Sequence, residues 1–183
     1  MSEMRIIVDH LKLEYNGLFD VKELFNFIDA WWMERGMEKR TTKNFEINSP
    51  KGKFIEWQSS TWKKINEYFR YILRVRILMY DLKKVEAMKD KQKVKMSEGK
   101  VILYFDGFIE EDLKHRWDET PMFIFFRTLW SKFIFKAYTD WFEHVLIQRV
   151  HNLYNSLEKF FNVYSHYRVV SNVPSFYNPF EAR

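Results

Sequence analysis

A chain of 183 residues with no cysteine and only 5 glycines excludes disulfides, thiol nucleophiles, thiolate metal sites and glycine-rich phosphate loops. Its 30 Lys and Arg against 25 Asp and Glu leave a formal charge of +5, a modest positive bias that suits an anionic partner such as RNA. Rings supply 19% of the residues, more than one core of this size takes up, so some are expected at surfaces that stack, grip or dock.

Residues 5–15 alternate as a strand, with Ile7, Leu11, Leu13 and Tyr15 on one face and a turn expected at Asn16-Gly17. Asp20 stands where a helix N-cap belongs, Glu23 completes a capping box, and Phe19 and Leu24 occupy the two positions of a hydrophobic staple. Val21, Leu24, Phe25, Ile28, Trp31 and Trp32 follow at helical spacing, and Gly36 suits a left-handed cap, so the pattern predicts a helix over 21–35. The period then becomes two. Strands are expected at 38–47 and 53–64 around a turn at Asn48-Ser49-Pro50-Lys51-Gly52. A longer strand is expected at 67–80, with shorter Lys-rich ones at 82–88 and 91–96. Ser97-Glu98-Gly99 reads as a turn before an apolar strand from 100 to about 113, with a bulge at Gly107. Thr120-Pro121 opens a helical region, and a second start signal at Asp140 and Glu143 predicts a break near 137–140. A stripe of Val145, Leu146, Val150, Leu153, Leu157, Phe160, Phe161 and Tyr164 carries the helix onward. The expected organisation is one α+β domain over 1–166 and an extended tail over 167–183. The domain would hold a strand, a helix, about six antiparallel strands and a long kinked C-terminal helix.

The candidate binding residues follow from charge and rings. In 62–76, Lys63, Lys64, Arg70, Arg74 and Arg76 lie among Trp62, Tyr68 and Tyr71. On a strand the three arginines share a face at steps of about 13 and 7 Å, a row that could meet successive phosphates. Tyr68 on the same face could stack a base or sugar. The stretch 83–100 has seven lysines against three acids. As a projecting hairpin it would offer Lys83, Lys84, Lys91, Lys93 and Lys95 to RNA, or simply keep a sheet edge soluble. Asp106, Glu110 and His115 are the acid–base candidates of an enzyme reading, and no nucleophile or metal-ligand spacing accompanies them. His144 and His151 share a helix face but stand about 10 Å apart along it, too far for one metal. Neither a metal nor a cofactor is expected.

Most tryptophans, Trp141 among them, fall at positions that read as core. The rings of 121–135 are too many for one side of a helix. Phe123, Phe126, Trp130 and Phe133 are therefore expected at a homodimer interface, and Phe176, Tyr177 and Phe180 of the tail at a docking contact. The absence of cysteine suits a reducing cytoplasm, the Lys/Glu-rich, Gln-poor make-up suits a thermophile, and no signal peptide or membrane span is expected.

The order of elements over roughly 4–166 resembles the helix-grip arrangement of the START-like superfamily, in which a curved sheet wraps around the final helix. That resemblance implies either an apolar small molecule held between sheet and helix or a docking module. Three functions are expected: a non-catalytic RNA- or ribonucleoprotein-binding factor, associated with the ribosome or regulating translation; a carrier or sensor of an apolar small molecule; or an enzyme on the same fold.

Overall fold

The computed structural model describes residues 3–65, 69–89, 92–111, 135–165 and 168–169. They form an α+β fold in which five long antiparallel strands, in the order β1-β5-β4-β3-β2, make one sheet. The strands are β1 (Glu3–Phe19), β2 (Glu38–Ser49), β3 (Gly52–Lys64), β4 (Phe69–Lys89) and β5 (Gln92–Glu111). The two-residue β6 (Arg168–Val169) adds to β4 at Ala87 and Met88. The helices are α1 (Val21–Glu34) and α2 (Phe135–Tyr164). Among the described residues, no helix is long and apolar enough to cross a membrane.

Local chemistry explains α1. The Asp20 carboxylate accepts from the backbone N–H of Lys22 at 2.8 Å and of Glu23 at 3.1 Å. Phe19 and Leu24 are fully buried. Gly36, at φ 58°, closes the helix by donating its N–H to Met33 O at 3.0 Å. Glu23 does not complete the capping box; its carboxylate accepts from the Tyr164 hydroxyl and so ties α1 to the end of α2. Replacing Asp20 with alanine orphans two helix donors. It is expected to cost about 1 kcal/mol and to lower Tm by about 2–4 °C in a thermal melt.

The strands are longer and fewer than the turn signals suggest. Asn16 and Gly17 pair with Lys100 and Gly99 inside the sheet, so β1 continues to Phe19. The Lys-rich segments are not separate strands. They are the outer halves of β4 and β5, which pair to the level of Lys89 and Gln92. The residues 97–99 form no turn, because Gly99 serves packing. A Cβ there would lie 2.7 Å from Tyr80 O, beside the irregularity at Asp81, whose φ is 53°. The bulges expected at Gly107 belong instead to β1, between Ile6 and Val8 and between Val8 and Leu11, opposite an unbroken β5. β2 is one edge of the sheet and is exposed along its whole length.

Alternation places Phe69, Tyr71, Leu73, Val75, Ile77 and Met79 of β4 in the core, as the pattern predicts. Phe69 meets Phe142 of α2, and Arg149 of α2 lies over Tyr71; the buried stripe of α2 is Phe142, Leu146, Val150, Leu153, Leu157, Phe161 and Tyr164. α2 runs unbroken from Phe135, so Asp140 starts no new helix. The start expected at Thr120-Pro121 lies outside the described residues. Gly107 lets the helix sit directly on the sheet. A Cβ there would be 3.3 Å from Leu146 and 3.4 Å from Val150.

Candidate nucleic-acid interface

Where β3 ends and β4 begins, the hairpin meets the first turns of α2. Lys63 and Lys64 pair in register with Tyr71 and Arg70. From the helix, Trp141, Val145 and Arg149 project in one line at four-residue steps. Lys63, Lys64, Ile65, Tyr71, Trp141, Phe142, Val145 and Arg149 line a recess of about 230 Å³. Among the described residues its lining has three cations and no carboxylate. Among the described residues, none of the three is ion-paired. Lys63 Nζ donates to the carbonyl of Arg35 at 2.9 Å, at the C-terminal cap of α1, and so keeps its charge unneutralised. The Arg149 guanidinium lies 4.9 Å from the centroid of the Tyr71 ring.

Two features of this recess are unusual. Trp141 is 59% exposed although the adjacent Phe142 is a core residue, contrary to the sequence expectation. Its ring meets Phe142 edge-on at 5.0 Å. Tyr71 is 4% exposed, and its hydroxyl has no hydrogen-bond partner among the described residues. Burial raises its pKa, with Arg149 opposing the shift. An unpaired buried hydroxyl costs roughly 1–3 kcal/mol, so a group that enters the recess and bonds to it would recover that energy.

The arginine row differs from its expectation in one respect. Arg70, Arg74 and Arg76 do share the sheet face away from the helices, but the charges of Arg70 and Arg76 are committed to carboxylates. Arg70 Nε donates to Glu110 at 2.5 Å. Arg76 donates to Glu56 through two nitrogens at 2.9 and 2.7 Å, and Lys43 joins the same carboxylate at 2.6 Å. Lys43 first, and Arg76 after it, hold the Glu56 carboxyl below the usual carboxylate range despite its burial. The Arg74 guanidinium covers the Phe108 ring at 4.7 Å, with Asp106 opposite it in register. The carboxylates come from β3 and β5, which sequence spacing along β4 alone could not reveal. Trp62 is also engaged, donating to Glu38 at 2.8 Å. Tyr68 lies outside the described residues.

Lys83, Lys84, Lys93 and Lys95 are exposed on the outer half of the β4–β5 hairpin. Lys93 stands 3.9 Å from Glu86. Ala87 and Met96 of the same arm are buried, so the hairpin is amphipathic. Lys91 lies outside the described residues, as do His115, Phe123, Phe126, Trp130, Phe133, Phe176, Tyr177 and Phe180.

One cluster was not legible in the sequence. The doubled bulge in β1 carries His10 at φ 49°. It brings Asp9, His10 and Asp106 within 4.8 Å of one another. The Asp106 carboxylate accepts from the backbone N–H of His10 at 2.9 Å. The His10 pKa is raised, first by its hydrogen bond to Asp9 and then by the charge of Asp106, while Arg76 opposes the shift. A second recess, about 400 Å³ and mostly apolar, opens between α1 and α2 beside Phe27, Phe160 and Val163. No protein-family model, no curated protein and no solved structure matches this chain.

Proposed function

We propose that this chain is a non-catalytic RNA- or ribonucleoprotein-binding protein built on a helix-grip-like fold. The observation that carries the reading is the convergence of Lys63, Lys64 and Arg149 on a ring-lined recess with no carboxylate among its described residues. Cations that no described carboxylate neutralises attract phosphate, and the rings beside them offer stacking surfaces. The exposed lysines of the β4–β5 hairpin and the net charge of +5 extend the same bias over the molecule. The sheet order, with β1 beside β5 and the other strands in sequence, supports the helix-grip reading, as does the long helix laid across the sheet.

The test is fluorescence anisotropy with a short single-stranded RNA over a series of salt concentrations. Log affinity is expected to fall linearly with log salt. Lys64→Glu and Arg149→Glu are each expected to weaken binding about tenfold and to flatten the slope by about 0.7. Arg76→Glu, at a charge already held by Glu56, is expected to change the slope less. Unchanged affinity in both recess variants would remove the recess from the interface, and no binding at any salt would end the RNA reading.

A further inference from the structure

We infer that the recess at the head of α2 takes one unpaired nucleotide of a single-stranded RNA, with the base against Trp141 and its polar edge at the Tyr71 hydroxyl. The inference rests on the RNA-binding reading and specifies its ligand. Bare phosphate would use the cations and leave the rings idle. An apolar ligand would use the rings and bury the cations and the hydroxyl unpaired. A nucleotide has an aromatic face, a polar base edge and an anionic phosphate, which are the three features this lining answers.

Size and shape narrow the choice. A recess of about 230 Å³ is smaller than the roughly 300–1,000 Å³ that enclose a drug-sized ligand. It suits one base and not an extended molecule. Base pairing occupies the polar edge and stacking in a duplex covers the face, so only an unpaired base can present both. Among the described rings of the recess, Trp141 is the one open to solvent, at 59% exposure. The Tyr71 hydroxyl lies deeper, on a residue only 4% exposed, and it can donate or accept. Arg149 is two turns beyond Trp141 and leans back toward it, as helical side chains do. Its guanidinium over Tyr71 and the Lys64 amine at the strand end are placed to hold the phosphate.

The experiment compares the affinity of the full chain for three probes of equal length: a single-stranded RNA, its duplex, and an abasic ribose–phosphate strand. Trp141→Ala and Tyr71→Phe are measured alongside, each with a thermal melt of the free protein. The single strand is expected to bind about tenfold more tightly than the other two probes. Trp141→Ala is expected to remove most of that advantage, since stacking is worth about 5- to 150-fold per base. Tyr71→Phe is expected to weaken the single strand several-fold while leaving the melting temperature of the free protein equal or higher, an opposition that a purely structural tyrosine would not show. Salt-dependent binding that is indifferent to bases and to both substitutions would overturn this inference and leave the RNA reading standing. No binding of any probe would overturn both.

Discussion

Valine in place of Gly107 is expected to destabilise the protein by about 3 kcal/mol and to lower Tm by about 6–12 °C. Gly107 lies on the inner face of β5, where a Cβ alone would meet Leu146 at 3.3 Å and Val150 at 3.4 Å. Both of those side chains are fully buried. Alanine asks its neighbours to yield by a few tenths of an ångström and should cost about 1 kcal/mol. Valine adds two methyl groups to the same space, so either α2 lifts or Leu146 leaves its rotamer. A second substitution tests the cause. Leu146→Ala alone should cost about 2–5 kcal/mol, because it opens a cavity. Combined with Gly107→Val, the loss should fall short of the sum by about 1–2 kcal/mol, because the valine fills part of that cavity. The result bears on function. If valine is accepted at no cost, room exists under the helix, and the apolar-carrier reading regains the cavity it needs. If it costs what contact packing predicts, α2 is seated on the sheet at this crossing.

What the sequence showed and what it hid divide along a physical line. Asp20, Leu24 and Gly36 specify α1 because capping and periodicity are local. The alternation from Phe69 to Met79 specifies which face of β4 is buried, because strand periodicity is local too. Glycine is ambiguous by nature. It permits a turn, and it permits close approach, and Gly99 does the second where the first was expected. Charge suffers the same limit. Arg70 and Arg76 look free along β4 because Glu110 and Glu56 arrive from other strands. The recess is the most non-local feature of all. Tyr71 and Lys64 were visible as part of a basic, aromatic stretch, but Arg149 and Trp141 join them only once α2 lies across the hairpin. The single hint in the sequence was the four-residue spacing of Trp141, Val145 and Arg149 beside the core stripe of the same helix.

Arg70→Ala is expected to cost about 2 kcal/mol of stability and to leave RNA affinity within about twofold, measured well below its melting temperature. The carboxylate of Glu110 is on a residue 7% exposed, and Arg70 is its ion partner. Removing one member of a buried pair strands the other charge, which costs about 3–5 kcal/mol when both are fully enclosed. The Arg70 side chain is 36% exposed, so water reaches the pair and the figure is reduced. The double variant Arg70→Ala with Glu110→Gln should recover about half the loss, because a neutral amide tolerates the vacated site better than a carboxylate. Urea unfolding of the two variants gives that difference directly. The pair then separates two uses of positive charge on one small sheet. A cation held by a buried carboxylate keeps β4 and β5 together, and its removal should read out in melting. A cation that no described carboxylate holds, such as Lys64 or Arg149, should read out in binding. Should Arg70→Ala weaken RNA tenfold while the fold stays intact, the committed arginines would be part of the binding face, and the interface would extend over the outer face of the sheet.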